Sequence, residues 1–339
     1  MSRKHAPSLM RQVRRDLKEG KSSENLFPKV KSISDPYYRS LSFYLLIPYL
    51  SPKSKQLKEA ITLASKDIDK VQQPWRRIEL LGIISKSLKT IRDAEIMYES
   101  YSRILEKLGN EKNKDIKEFL LKHSKNFPEF CLGTLLGISS KLKGYEFETG
   151  KAIIRHGVKF NSKSRLVDNL LKFNSTSKTK LLGYLHLQLF KLNKNEHSKA
   201  LSKALQSADG QESLLYLVRV CSKKSDFILF EEHISNLPTD DKVFLLISLT
   251  SRADRKKLKE LARQLHDKSE EQYNLLSESK IKIKLRAKLD LTLERLGVTQ
   301  ITEKSKVIKE LGEVAETGNH TLALYNTYGG NWNHPHFKS

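Results

Sequence analysis

Asp35-Pro36-Tyr37-Tyr38-Arg39 and Gln73-Pro74-Trp75-Arg76-Arg77 are the two stretches on which the reading of the fold turns. Their prolines lie 38 positions apart, and each is followed by an aromatic residue, one further residue and Arg. Proline suits the first turn of a helix, where its missing N–H costs nothing. Asp35 is a good N-cap ahead of Pro36; Gln73 is a poor one. Beyond these two units the echo fades but the rhythm continues. New helical blocks are expected to open near Lys112, Gly144, Ser177, Gly210, Thr239 and Glu270, a spacing of about 30 to 40 residues typical of paired-helix repeats. Each block reads as two short amphipathic helices. Ser51-Pro52 is expected to open the second helix of the first unit, with Leu57, Ile61, Leu63 and Ala64 on one side. Ile78, Leu81, Ile84 and Leu88 form the stripe of the next.

From Ser34 to Gly297 this pattern resembles a HEAT-type α-α solenoid. The resemblance implies an all-α, paired-helix solenoid with a basic N-terminal helix and a short non-helical C-terminal tail. Four segments follow: a basic arm or capping helix over 1–33, the repeat domain over 34–297, a terminal helix over 298–318 and an aromatic- and His-rich tail over 319–339. One segment is ambiguous. Ile281, Ile283, Leu285, Ala287, Leu289, Leu291 and Leu293 alternate as in a strand, yet Ile281, Leu285, Leu289, Leu293 and Leu296 share a helical face. A fifteen-residue strand with no partner nearby is out of keeping with ordinary strand lengths of about 5–6 residues, so a helix is expected. Gly133 and Gly137, on one helical face near Cys131, read as close helix packing.

Hydrophobic residues make up 38% of the chain and charged residues 30%, which suits a fold with much surface per residue. Lys and Arg number 62 against 39 Asp and Glu, a formal charge of +23 that draws polyanions over long range. Cys131 and Cys221 are the only cysteines, so neither a disulfide framework nor a zinc-type cysteine spacing is available, and a reducing, cytoplasmic setting is expected. The densest apolar run, Leu41 to Leu50, is far short of the ~20 residues of a spanning helix. Arg3, Lys4 and other basic residues lead Met1 to Ser23, but Asp16, Glu19 and Glu24 set it apart from a transit peptide.

The charge resolves into two lines. Arg252, Arg255, Lys256, Lys259 and Arg263 fall at i, i+3, i+4, i+7 and i+11, with His266 extending the row and Leu258, Leu261, Ala262 and Leu265 on a docking face. A row of cations matches a row of phosphates, and each engaged charge releases condensed counterions. Arg11, Arg14, Arg15 and Lys18 share a second face, beside Met10, Val13 and Leu17; that segment is either an RNA-binding arm or a helix capping the repeat core. Solvated outer faces are the plain alternative for both lines. Tyr37, Tyr38, Trp75, Tyr98, Tyr101 and Tyr184 sit mostly at core spacing and read as packing residues.

No chemistry-bearing constellation stands out. Glu196-His197 and Glu232-His233 lack a second His four residues on, and Gly329-Gly330 opens no helix. His123, His156, His186, His197 and His233 read as ordinary surface or core histidines. In the tail, Leu322-Ala323-Leu324-Tyr325-Asn326-Thr327-Tyr328 followed by His334-Pro335-His336 resembles the opening of an uncharacterised archaeal family classed with SPOUT-type RNA methylases. The resemblance covers fewer than twenty residues and implies a setting in RNA metabolism; the part that would bind S-adenosylmethionine is not among them, so no methyltransferase is expected. Tyr325, Tyr328, Trp332 and Phe337 are candidate partner-binding residues, and His334 with His336 alone make an incomplete metal site. The expectation is therefore a non-enzymatic binder of RNA or a ribonucleoprotein, without cofactor, metal or membrane span. A protein-interaction scaffold with a helical-repeat groove is the alternative.

Overall fold

The computed structural model describes residues 5–52, 54–160, 163–173 and 177–297. The tail candidates, the terminal helix expected over 298–318, and Arg3 and Lys4 lie outside the described residues. Among those described, every regular element is helical: α1 (Ala6–Lys18), α2 (Ser23–Lys31), α3 (Pro36–Leu46), α4 (Lys55–Asp69), α5 (Pro74–Ser87), α6 (Ala94–Gly109), α7 (Asn113–His123), α8 (Leu132–Ser139), α9 (Glu146–Gly157), α10 (Lys163–Leu171), α11 (Lys178–Lys191), α12 (His197–Gln206), α13 (Gln211–Val220), α14 (Lys224–Ile234), α15 (Thr239–Arg255), α16 (Lys259–Asn274) and α17 (Lys280–Arg295). The protein is all-α, and it divides into two compact units, Met1–Leu181 and Leu182–Ser339.

Helix starts follow local chemistry. Asp35 accepts hydrogen bonds from the Tyr37 and Tyr38 N–H groups, whereas Gln73 makes no side-chain cap. The expected openings near Lys112, Gly144, Ser177, Gly210 and Thr239 coincide within two residues with the starts of α7, α9, α11, α13 and α15. Two expectations shift. The cap of α4 is Ser54, which accepts from Leu57 N–H, and not Ser51-Pro52. Glu270 lies inside α16, and the next helix opens at Ser279, whose hydroxyl accepts from Lys282 N–H. A hydroxyl with extended backbone satisfies the orphan N–H groups of a first turn; a mid-helix carboxylate gives no such signal.

Within the first unit α3 packs on α5, α5 on α7 and α7 on α9, while α4 packs on α6, α6 on α8 and α8 on α10. Within the second, α13 packs on α15, α15 on α17 and α12 on α14. The echoed Arg explains why its motif recurs. Arg39 Nη1 donates to Ile33 O, six positions back (2.8 Å), and Nε and Nη2 grip Asp67 on α4 (2.7 and 2.6 Å). Arg77 repeats the arrangement with Val71 O (3.0 Å) and, at 2.5 and 2.8 Å, Glu111. Each fork ties a helix start to the preceding loop and to a buried carboxylate at the end of the following hairpin. Across the two copies, Tyr37 Oη donates to Glu79 (2.6 Å) and the Arg76 guanidinium lies 4.8 Å from the Tyr37 ring centre.

Close glycine packing is found at one of the two expected positions and at others. A Cβ at Gly137 would meet nothing within 4 Å, while one at Gly133 would meet the Asn169 side chain at 3.2 Å. Tighter approaches are at Gly82, where a Cβ would lie 2.6 Å from the His123 ring, and at Gly150, where it would lie 2.7 Å from Leu181 Cδ2.

The ambiguous segment is helix α17. Leu285 and Leu289 join Val243 and Ile247 in a buried cluster, and Ile281 and Ile283 are exposed. Lys288 is buried beside them, its Nζ 4.3 Å from the Phe244 ring centre, and burial pushes its ammonium down to about 7. Below that value the lysine is charged in both folded and unfolded chains and the cost of burying it is fully present. As pH rises from about 7 toward the unfolded value the unfolded chain binds the extra proton, so stability increases, by at most roughly 1.4 kcal/mol per pH unit. Urea denaturation of the wild type and of Lys288→Met should therefore diverge at neutral pH and converge near pH 10; parallel curves would refute this assignment.

Candidate nucleic-acid interface

The five cations expected on one helical line are divided between two helices. Arg252 and Arg255 occupy the last turn of α15, Lys256 is its C-cap, and Lys259 and Arg263 belong to α16. Between them the chain turns through Lys257, at φ 61°. Leu258 N–H donates to Ala253 O (3.0 Å) and Lys257 N–H to Asp254 O (2.8 Å), the paired bonds of a Schellman stop. That motif usually places Gly where Lys257 stands, which is why periodicity alone ran straight through it. Lys257→Gly should raise stability by about 0.5–1 kcal/mol by removing left-handed strain. An unchanged urea midpoint would contradict it.

The five are also unlike one another. Arg252 is half-buried and its Nε donates to Cys221 O (2.9 Å), so it ties α15 to the α13 end. Lys259 pairs with Asp254 at 2.6 Å. Arg255, Lys256 and Arg263 are exposed. His266 does not extend the row: it is buried, because it lies on the same face as Leu261, Ala262 and Leu265.

What the fold assembles instead is a group of helix ends. Arg255, exposed at its surface, has its guanidinium pushed down first by partial desolvation, then by the charges of Arg295, Arg252 and, more weakly, Arg219, with Asp254 pulling the other way. Lys256 is lowered by burial first, then by Arg252 and Lys191, opposed by Asp226. Lys191, Arg219, Arg252, Arg255 and Arg295 are last-turn residues of α11, α13, α15 and α17. A helix C-terminus favours a single cation through its dipole. It does not by itself account for the gathering of Arg252, Arg219 and Arg295 about Arg255. Lys191, Arg219 and Arg295 were not among the sequence candidates, since the spacing that joins them is between helices.

In the first unit α1 carries Arg11, Arg14, Arg15 and Lys18 on its exposed side. Val13 is buried, Met10 and Leu17 are partly so, and α1 packs on α2 and α3. Asp16 is buried and bridges Lys21 (2.8 Å) and Lys29 (2.9 Å), which fastens α1 to α2. The aromatic expectation holds for Tyr101, which is buried, and fails for Trp75 and Tyr98, 60% and 62% exposed. Both fall at core spacing, but their positions face away from the neighbouring helices.

His156 Nε2 bonds Phe127 O (2.8 Å) and is an ordinary packed histidine. His186 on α11, His197 on α12 and Asp226 on α14 are different: all three are buried, with one potential ligand atom from each within 4.8 Å of the others. Cys131 and Cys221 are free and buried; burial pushes the Cys131 thiol up to about 12 and that of Cys221 higher, so neither is a thiolate at neutral pH. Among the described residues no helix is long and apolar enough to cross a membrane. Comparison with known families, with curated proteins and with solved structures finds no match to this chain.

Proposed function

We propose that the protein is a non-enzymatic RNA-binding helical repeat protein that grips phosphates through its clustered helix ends. The carrying observation is that the last-turn cations of α13, α15 and α17 act electrostatically on Arg255, with Arg252 and Lys191 acting on Lys256. Basic side chains gathered in one region can match a run of phosphates, each engaged charge releasing condensed counterions. A net charge of +23 supplies the long-range attraction that brings a polyanion to that region. Within each unit, runs of helices packed on the next but one (α3, α5, α7 and α9; α13, α15 and α17) support a HEAT-like reading, in which a hairpin buries its apolar side against its neighbours. The exposed face of α1 offers further sequence-independent phosphate contacts. RNA is favoured over DNA by the resemblance carried in residues 322–336.

The test is RNA binding by the purified full chain at several salt concentrations, beside a variant with Lys191, Arg255, Lys256 and Arg295 changed to Gln. Weaker binding with a shallower salt dependence supports the assignment; unchanged affinity and slope overturn it. A protein-partner reading is favoured by one observation, the exposed Trp75 and the exposed Tyr98–Phe130 pair, with ring centres 5.3 Å apart. Recovery of a defined protein partner after complete nuclease treatment, together with no RNA affinity in the pure chain, would establish that reading instead.

A further inference from the structure

The donors and acceptors around His186 do not balance. Its Nδ1 lies 2.9 Å from His197 O. A carbonyl only accepts, so Nδ1 carries the hydrogen, and a neutral imidazole then presents a bare lone pair at Nε2. That Nε2 has no hydrogen-bond partner and lies 3.4 Å from Asp226 Oδ2. Asp226 Oδ1 also has none. The two side chains are 0% and 1% exposed, so water does not screen a lone pair set against a carboxylate. Something positive belongs between them.

A proton on Nε2 would settle one contact and leave Asp226 Oδ1 without a partner, while His197, whose Nδ1 lies 3.3 Å from Ser198 Oγ, would take no part. A metal ion uses all three. Tetrahedral coordination with Zn–N and Zn–O bonds of about 2.0–2.1 Å separates neighbouring ligand atoms by about 3.3–3.4 Å, the distance found between His186 Nε2 and Asp226 Oδ2. The outer contacts are those that orient metal ligands. A backbone carbonyl holds the far nitrogen of His186, and the N–H groups of Ser222 and Lys223 donate to Asp226 Oδ2 at 2.9 and 3.2 Å. Phe190, its ring centre 5.7 Å from that of His197, adds an apolar wall.

We propose that His186, His197 and Asp226 bind a divalent metal ion of the zinc class, joining α11, α12 and α14, with a fourth position left for water. The proposal does not depend on the phosphate-binding reading.

The test uses the full chain, stripped with a chelator and titrated with Co²⁺ as a spectroscopic stand-in for Zn²⁺. Expected are the visible absorption of tetrahedral Co²⁺ saturating at about one equivalent, its loss on adding Zn²⁺, and a higher Tm with Zn²⁺ than with chelator. His186→Gln and Asp226→Asn should each weaken Co²⁺ binding at least tenfold, while His156→Gln leaves it unchanged. Because coordination displaces protons, binding should also weaken on acidification. No Co²⁺ absorption and no Zn²⁺-dependent change in Tm for the wild type would overturn the proposal in favour of a protonated His186 paired with Asp226. That wild-type result decides the matter even if a variant fails to fold.

Discussion

Asp67→Asn is expected to lower the unfolding free energy by about 3 kcal/mol, toward the lower end of the range for breaking a buried ion pair. Asp67 is buried and receives two guanidinium bonds from Arg39, whose side chain keeps 22% of its exposure. An amide cannot accept both bonds as a charged carboxylate does, and it leaves the guanidinium without a counter-charge. The solvent-exposed part of Arg39 holds the loss below the upper end. Arg39→Met alone should also destabilise, because it strips Asp67 of its partner and releases Ile33 O. The double variant Arg39→Met with Asp67→Leu should recover much of the loss, since an apolar pair carries no desolvation penalty. Urea denaturation of the wild type, Arg39→Met, Asp67→Leu and their double variant forms a double-mutant cycle. A coupling energy near zero would show that the fork is incidental to stability. Arg77 and Glu111 should behave alike, being built the same way.

The second large effect is on binding. Each phosphate contact contributes about 0.7–0.9 to the slope of log affinity against log salt. Removing Lys191, Arg255, Lys256 and Arg295 should therefore reduce that slope by about 3 and lower affinity on the order of 100-fold at low salt, alike for unrelated sequences. Lys191, Arg255, Lys256 and Arg295 are exposed, so Gln is tolerated there. Arg252 is left intact because it holds Cys221 O. Changing Arg11, Arg14, Arg15 and Lys18 to Gln measures the contribution of α1 separately. Binding that resists both sets of changes would remove phosphate contacts at these residues as its source.

Much of the helical architecture was legible because its signals are local. A proline, a side-chain oxygen or a glycine acts on backbone groups within about four residues, so the starts of α3, α5, α7, α13 and α15 can be read directly. The strand-like alternation of Ile281 to Leu293 yielded to the helix because Leu285 and Leu289 share a face that meets Val243 and Ile247. The candidate sites were far less legible. A run of cations at helical spacing looked like one line, but the left-handed turn at Lys257 divides it, and a lysine there gives no local warning. Trp75 and Tyr98 matched the core period yet face outward, since periodicity locates a side of a helix without saying what lies against it.

The amino-acid sequence by itself determined the helical class, the starts of seven helices, the excess of positive charge and the twofold Pro-aromatic-x-Arg motif. Only the tertiary structure decided which helix ends meet, and so brought Arg219 and Arg295 to Arg255, and His186 to Asp226 forty positions away. Hydrogen bonding within a helix reaches four residues along the chain, whereas charge and coordination act through space. The sites of this protein are made of the second kind of contact.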